Sequence, residues 1–336
     1  MADLAELLET KGVLLADGAT GTNLFEMGLT SGDAPEMWLE QHPDRIRALH
    51  RSFVEAGSDI ILTNSFGCNA RRLMLHGMQD RARELNRIAA QLAREEADKA
   101  GRPIVVAGSV GPTGDLFAPL GPLTEEDARA VFREQIAGLK DGGVDVIWIE
   151  TMSAAEEIRA AALAAIDENM AYVFTASFDT AGRTMMGIKP EQLVEIAKSL
   201  PKPPLAIGAN CGVGASDLLM SVLGMAAAEN GFAPIIVAKA NCGIPQVKGD
   251  KVEYTGTPEL MARYAHMAID AGARIVGGCC GTAPEHLRAM RAALDSHHAG
   301  ARPTLETVTA AIGPLVAPPN EAGDDTPRRG RGRRRG

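Results

Sequence analysis

The feature that most constrains the fold of this chain is a regular alternation of short β-rich runs with longer helical stretches. Eight runs are rich in apolar and β-branched residues, and they are 13–17, 59–63, 104–109, 144–150, 172–178, 205–210, 235–240 and 274–278. The stretches between them are rich in Ala, Glu and Arg at helical spacing, for example 43–56, 80–100 and 125–141. Near-continuous apolar strands separated by helices indicate a buried parallel sheet. Eight such units favour a single α/β domain of the (β/α)8 TIM-barrel class, with a doubly wound open sheet as the alternative.

The composition is ordinary for a large globular fold except near the C-terminus. Of the 336 residues, 46% are hydrophobic but only 4% are aromatic, so the core must be built from small and aliphatic side chains. We predict that residues 1–300 form the barrel and that residues 301–336 form a Pro/Ala-rich linker and a disordered basic tail. The tail ends in PRRGRGRRRG, which contains six arginines. It is interpreted as a solvated appendage, with contact to an acidic partner or RNA as the alternative.

Charge, the N-terminal sequence and the cysteines limit the classes of partner. The formal charge of −9 argues against general affinity for nucleic acids or acidic membranes. The start of the chain lacks the basic and apolar regions of a signal peptide, and no apolar run approaches the roughly 20 residues of a membrane span. Five cysteines without the spacing of a disulfide scaffold indicate reduced thiols. We therefore expect a cytoplasmic protein, and the sequence leaves its oligomeric state open.

Three cysteines follow predicted strands at their C-terminal ends, which is where a barrel places its catalytic groups. Cys211 follows the sixth strand, and the adjacent Cys279 and Cys280 follow the eighth. Three thiolates that leave one coordination position open are typical of a catalytic rather than a structural zinc site, with one zinc ion per chain. The alternative is that these cysteines are small buried apolar residues, but adjacent thiols on a glycine-flanked turn suit packing poorly. Cys68 and Cys242 lack this setting, and we interpret both as spectators.

Polar residues at other strand ends suit a small amino acid that carries a thiol. Zinc favours deprotonation of a coordinated thiol, and a sulfur-rich shell suits alkyl transfer better than water activation. Asp17 and Glu150 end the first and fourth strands and could hold an ammonium group through charge-assisted hydrogen bonds. Gly18, Ala19 and Thr63 could donate hydrogen bonds to a carboxylate. The alternative for the two acids is an acid–base pair of the kind that glycosidases use.

Six motifs at the strand ends occur in one order along the chain. They are DGATGT at 17–22, TNSFG at 63–67, GPTG at 111–114, ET at 150–151, NCG at 210–212 and GGCCGT at 277–282. Together they resemble the homocysteine S-methyltransferases, and the resemblance extends over residues 12–295. It implies a (β/α)8 barrel that methylates homocysteine to methionine, with zinc held by the same three cysteines. It also implies that homocysteine is held by four residues, namely Asp17, Gly18, Thr63 and Glu150.

Branches of this family differ in methyl donor, and the resemblance favours methylcobalamin. The segments ILTNSFG, SVGPTGDL and KANCGIP look like the homocysteine module of cobalamin-dependent methionine synthase, which implies a separate corrinoid protein as partner. In that branch an Asn at the end of strand seven, here Asn241, can occupy the open zinc position before substrate binds. The alternative donors are glycine betaine, dimethylsulfoniopropionate and S-methylmethionine. Betaine calls for an aromatic cage, yet Thr151 follows Glu150 and Gly67 follows Phe66, where betaine enzymes have aromatic residues.

Two other classes of protein fit parts of the pattern. A zinc hydrolase on the same barrel would need a general base and access for water. A thiol or metal carrier would use the cysteine cluster for storage only. Asp17 and Glu150 argue against a carrier, because a storage site has no use for two carboxylates beside the metal.

Overall fold

The structure is a computed structural model that describes residues 2–30, 32–228, 231–248 and 251–318. Its strands are β1 (Leu14–Leu15), β2 (Ile60–Leu62), β3 (Val105–Val110), β4 (Val146–Met152), β5 (Tyr172–Ala176), β6 (Ala206–Cys211), β7 (Ile235–Ala240), β8 (Pro245–Lys248), β9 (Lys251–Tyr254) and β10 (Ala273–Gly278). Strands β8 and β9 pair with each other in antiparallel fashion, apart from the main sheet. The other eight strands are parallel, and they correspond to the eight predicted runs.

The eight-stranded sheet closes into a barrel, which confirms the predicted fold class. Parallel pairing runs in the order β1–β10–β7–β6–β5–β4–β3–β2. A parallel bridge between Ala16 and Ile60 then joins the first strand to the second. Across the same seam, the Asp59 N–H donates to the Leu15 carbonyl at 2.7 Å. An open doubly wound sheet would leave two unpaired edges, so that alternative is excluded.

Helices connect the strands and cover the outside of the barrel. They are α1 (Leu4–Lys11), α2 (Thr20–Glu26), α3 (Trp38–Gln41), α4 (Pro43–Glu55), α5 (Ala70–Leu73), α6 (Ala82–Asp98), α7 (Glu125–Asp141), α8 (Ala155–Asp167), α9 (Pro190–Ser199), α10 (Ala215–Ala226), α11 (Pro258–Ala271), α12 (Pro284–Asp295) and α13 (Leu305–Ala311). Helix α6 shows why they form there, because Leu85, Ala89 and Leu92 recur at helical spacing and are buried against the barrel. Among the described residues, no helix has the length and apolar character needed to cross a membrane.

The barrel interior is a packed apolar cluster that is closed at its N-terminal end. Every second residue of the strands points inward, as the two-residue repeat of a strand requires. These inward residues include Leu14, Ile60, Val105, Val146 and Ile275. Three leucines of α1 join the same cluster, so α1 seals the bottom of the barrel. The open end is therefore the one at which the strands finish.

The segment after α12, which the sequence predicts to be a linker, packs against the barrel. Helix α13 buries Val308. Beyond it, the backbone N–H groups of Val316 and Ala317 both donate to the Asp217 carboxylate at 2.9 Å. The arginine-rich tail lies in 319–336, outside the described residues. Its disorder, and the division of the chain at residue 300, stay predictions.

Candidate active site

A cavity of about 440 Å³ opens at the C-terminal ends of the barrel strands. Trp148 and Val237 belong to the inner apolar cluster. Two residues further along the same inward faces stand Glu150 and Lys239, and both line the cavity. The interior thus changes from apolar to polar within one two-residue step, which places charged groups at the top of an otherwise apolar barrel.

The three cysteines predicted as metal ligands lie together at this end. The sulfur atoms of Cys211, Cys279 and Cys280 are all within 4.8 Å of one another. The Cys211 and Cys280 sulfurs are 3.7 Å apart. A tetrahedral zinc ion with Zn–S bonds of about 2.3 Å separates its sulfur ligands by about 3.8 Å. The cluster therefore fits three of the four positions around one zinc ion, and all three residues line the cavity.

The three sulfurs also change one another's acidity. Hydrogen bonding to Cys279 and Cys280 raises the pKa of Cys211. Hydrogen bonds from Cys211 and Cys279 lower the pKa of Cys280 to about 3. The cluster thus favours one thiolate that is stabilised by two neighbouring thiols, an arrangement that attracts a cation.

A strained backbone holds the first cysteine at the end of β6. Cys211 has a φ of 60°, and Thr151 at the end of β4 has a φ of 62°. Both values lie in the left-handed region, which residues other than glycine seldom adopt. The Thr151 N–H donates to Asn210 Oδ1 at 2.8 Å, and Asn210 Nδ2 donates to Thr151 Oγ1 at 2.7 Å. This reciprocal pair fixes the end of the strand that carries Glu150 against the strand that carries Cys211.

Asn241 links the two loops that carry the cysteines. Its Oδ1 accepts the Cys280 N–H at 3.1 Å, and its Nδ2 donates to the Gly212 carbonyl at 2.7 Å. The side chain is buried. Both ends of the carboxamide are therefore used to position the loops, and its role as a temporary zinc ligand stays a prediction.

Asp17 forms a buried ion pair with Lys239 that was not predicted from the sequence. Its Oδ1 lies 2.7 Å from Lys239 Nζ, and its Oδ2 accepts the Leu62 N–H at 2.7 Å. Burial raises the pKa of Asp17, although the ammonium of Lys239 acts in the opposite direction. Of the two residues in this pair, Lys239 lines the cavity. Direct contact of Asp17 with a substrate ammonium stays a prediction.

Glu150, near the end of β4, lies close enough to Lys239 for their charges to interact. Ser109 Oγ donates to Glu150 Oε1 at 2.5 Å. Burial raises the pKa of Glu150 to about 7, although Lys239 lowers it. When Asp17, Lys239 and Glu150 are all ionised, the three together carry one net negative charge. Such a group favours a ligand with an ammonium.

The first strand end approaches the last one closely. A Cβ added to Gly18 would lie 2.5 Å from the Thr282 carbonyl, so only glycine fits there. The Ala19 N–H donates to the same carbonyl at 3.0 Å and is not free for a ligand carboxylate. Gly18 lines the cavity, as expected for a substrate contact.

Thr63 also lines the cavity, but its hydroxyl is committed to neighbours. It accepts the Ser109 N–H at 3.0 Å and lies 2.6 Å from Ser65 Oγ. Ser65 in turn donates to the Ser109 carbonyl at 2.8 Å, so the Thr63 hydrogen points to Ser65. Thr63 therefore offers the cavity an acceptor rather than the expected donor.

A family model described as homocysteine S-methyltransferase matches residues 14–294 of this chain. The chain belongs to the homocysteine S-methyltransferase family. The matched residues agree with the span of the resemblance that the strand-end motifs indicate. The fold and the family that the sequence predicts are thus both confirmed.

Two relatives and one solved structure are similar to this family member over most of its length. The chain is 30% identical over 319 residues to methionine synthase of Mycobacterium leprae and 31% identical over 312 residues to that of Mycobacterium tuberculosis. These matches cover 90% and 87% of the chain but only 26% and 25% of the relatives, so it spans about a quarter of their length. The metallated form of the homocysteine methyltransferase MmuM from Escherichia coli is 25% identical with a TM-score of 0.72, over 85% of this chain and 98% of that one.

Several residues of this family member's cavity escaped the sequence analysis. Lys239 had a usable signal, because a lysine inside an apolar strand is almost never buried without a partner. Glu36, on the connection between β1 and β2, had none, since nothing local shows that a loop glutamate is buried in a cavity.

Cys68 and Cys242 are buried outside the three-sulfur cluster.

Proposed function

We propose that this chain methylates the sulfur of L-homocysteine to form methionine, with one zinc ion held by Cys211, Cys279 and Cys280. The observation that carries the proposal is the convergence of three sulfurs, distant in sequence, in one cavity with an acidic group. Zinc bound there would supply the Lewis acidity that keeps a substrate thiol in its thiolate form at neutral pH. Membership of the homocysteine S-methyltransferase family supports this choice of substrate.

The residues around the cluster would hold the amino-acid part of the substrate. An ammonium beside Glu150 favours its ionised form and gains a charge-assisted hydrogen bond. Asp17 contributes by fixing Lys239, whose remaining N–H groups can reach a substrate carboxylate. Gly18 leaves room for close approach of the substrate to the backbone, and Thr63 offers an acceptor. These roles orient the sulfur toward the metal position and the methyl donor.

Methylcobalamin on a separate corrinoid protein is the first candidate donor. It is supported by the two relatives named methionine synthase, which extend well beyond the part that this chain matches. Apolar side chains are exposed on the connections that follow the barrel strands, and they include Phe25, Phe66, Leu75, Leu116, Leu120 and Met185. Phe66 and Leu75 line the cavity, and exposed apolar side chains beside a cavity are suited to contact with a protein. A small onium compound is the second candidate, and the buried carboxylate of Glu36 inside the cavity favours it.

The proposal predicts methionine formation from homocysteine by the zinc-loaded protein. Four donors are supplied in turn, namely methylcobalamin on a corrinoid protein, glycine betaine, dimethylsulfoniopropionate and S-methylmethionine. The methionine formed is measured by mass spectrometry. At least one donor should give zinc-dependent turnover. Absence of methionine with every donor, combined with zinc-dependent hydrolysis of ester or amide substrates, would instead support a hydrolase.

Replacing Glu150 with glutamine should weaken homocysteine binding and stabilise the zinc-free protein. Loss of the carboxylate should raise the KM for homocysteine roughly 10- to 100-fold, because a charged hydrogen bond is worth about 1.5–3 kcal/mol. The pKa of Glu150 is raised by burial to about 7, so ionisation opposes folding as pH rises through about 4.5 to 7. Above pH 7 the variant should therefore exceed the wild type by about 3 kcal/mol in free energy of unfolding.

This prediction can be checked by urea unfolding at pH 5 and pH 8 together with initial rates. Glu156→Gln, an exposed change on α8, is the matched control and should alter neither measurement. Equal stability of Glu150→Gln and wild type at pH 8 would show that the carboxyl is not held in a poorly solvated position.

A further inference from the structure

We propose that residues 302–317, named the brace, position Cys211 and Cys280 for the metal by holding two loops at the mouth of the barrel. The loops are 212–214, which follows β6, and 241–244, which follows β7. The structure describes every residue of the brace, and none of them lines the cavity that contains the cysteines. The inference rests on the proposed zinc site, and it gives a positioning role to a segment that the sequence predicts to be a linker.

The brace runs along α10, from the last turn of that helix to its first turn. At the last turn, Arg302 Nη2 donates to the Leu223 carbonyl at 3.1 Å. Helix α13, in the middle of the brace, contacts α10. At the first turn, Ser216 Oγ donates to the Gly313 carbonyl at 2.8 Å. The brace is therefore attached at both ends of the helix that follows the Cys211 loop.

Asp217, in the first turn of α10, makes the strongest link to the brace. The residue is only 7% exposed. Its Oδ2 accepts the Val316 N–H and its Oδ1 accepts the Ala317 N–H, both at 2.9 Å. Hydrogen bonds to an ionised carboxylate are stronger than those between neutral groups. Because α10 begins at Ala215, four residues after Cys211, this link holds the backbone close to a metal ligand.

The end of the brace contacts both loops. Gly214, Ile244 and Val316 line one small cavity of about 60 Å³. A Cβ added to Gly214 would lie 3.8 Å from Val316 Cγ2 and 3.9 Å from Ile244 Cγ1, so the three residues meet at one point. The loop that carries Ile244 begins at Asn241, whose Oδ1 accepts the Cys280 N–H. The brace thus touches the loop that follows Cys211 and the loop that holds Cys280.

Cys211 needs such support because its backbone is strained. Its φ of 60° lies in the left-handed region, and a residue other than glycine stays there only when its surroundings fix it. On the N-terminal side, Asn210 Nδ2 donates to Thr151 Oγ1 at 2.7 Å. On the C-terminal side, the Gly212 carbonyl accepts from Asn241, and the brace holds the beginning of α10. Release of the brace would let Cys211 relax and would move its sulfur away from the other two.

The test measures how tightly the full chain binds zinc when the brace is released. Asp217→Ala removes both acceptors, and Val316→Asp places a second carboxylate beside Asp217 at a position that is 43% exposed. Each variant should weaken zinc binding roughly tenfold, measured by competition with a chelating dye. Each should also weaken the thiolate-to-metal charge-transfer absorption of the cobalt-loaded protein. These two readouts report on the sulfurs, and a loss of stability elsewhere in the fold would not change them.

Two matched controls separate the brace from general effects of charge and shape. Asp127 is the third residue of α7, as Asp217 is of α10, so Asp127→Ala removes the same helix-start charge without touching the brace. Val316→Thr keeps the branched shape and the N–H. Both controls should bind zinc as the wild type does.

The inference is overturned if Asp217→Ala and Val316→Asp are folded and keep wild-type zinc affinity and cobalt absorption. It is also overturned if Asp127→Ala weakens zinc binding as much as Asp217→Ala does. If Asp217→Ala does not fold, the exposed change Val316→Asp decides. Zinc binding by the wild type with no effect of the brace variants would leave the proposed function standing. Absence of zinc binding by the wild type would remove both.

Discussion

Replacing Cys279 with serine is expected to remove most of the bound zinc and to reduce methionine formation by on the order of 100-fold or more. The three sulfurs lie within 4.8 Å of one another, so loss of one leaves two protein ligands in a site that needs three. A serine hydroxyl does not ionise at neutral pH and is a poor ligand for zinc in such a shell. Zinc content after dialysis and the rate of methionine formation measure the two effects.

Cys242→Ala is the matched control for this prediction. Cys242 is buried next to the site but outside the cluster, and burial raises its pKa to about 12, so it stays a thiol. The control should keep its zinc and its activity. Full zinc content and full activity in Cys279→Ser would contradict the assignment of the cluster as the metal site.

Replacing Lys239 with methionine should have the largest effect on stability, a loss of about 3–5 kcal/mol in the free energy of unfolding. The substitution keeps much of the side-chain volume but leaves Asp17 buried without its counter-charge. Homocysteine turnover should fall as well, because the charge next to Glu150 is lost. Burial already raises the pKa of Asp17, and without Lys239 the raised pKa should make the variant more stable at acidic pH than at neutral pH.

The double variant Asp17→Asn with Lys239→Met separates stability from function. Asparagine can still accept the Leu62 N–H, so the double variant should recover most of the lost stability but not the activity. Lys140→Met is the surface control, because Lys140 is exposed on α7 and donates to the Glu168 carbonyl. Urea unfolding of all four proteins tests the pair. Wild-type stability in Lys239→Met would show that the pair contributes little to the fold.

The barrel and its metal cluster could be predicted because their signals are local and repeated. Each strand is an apolar run buried on both faces, and each is followed by a helix with its own apolar spacing. The cysteines stand directly after such runs, at 211 and at 279–280. Parallel strands of a closed barrel bring their ends to one rim, so the positions in sequence were enough to predict that these sulfurs meet.

The charged partners could not be predicted in the same way. Asp17 was expected to bind substrate directly, but its nearest cation is Lys239, separated from it by most of the chain and joined to it only because the barrel closes. Thr63 was expected to donate, but its hydrogen points to Ser65 because of a neighbouring carbonyl. A hydrogen-bond direction depends on all nearby groups, and sequence order does not show which groups are near.

The amino-acid sequence alone determined the fold class, the family and the residues that form the cysteine cluster, because hydrophobic spacing and strand-end motifs are properties of short segments. The tertiary structure alone decided that Glu36 and Arg72 share the cavity with those cysteines, and that Val316 and Ala317 bind back to Asp217. Burial and electrostatic pairing depend on distances across the closed barrel. Those distances exist only after the backbone has folded.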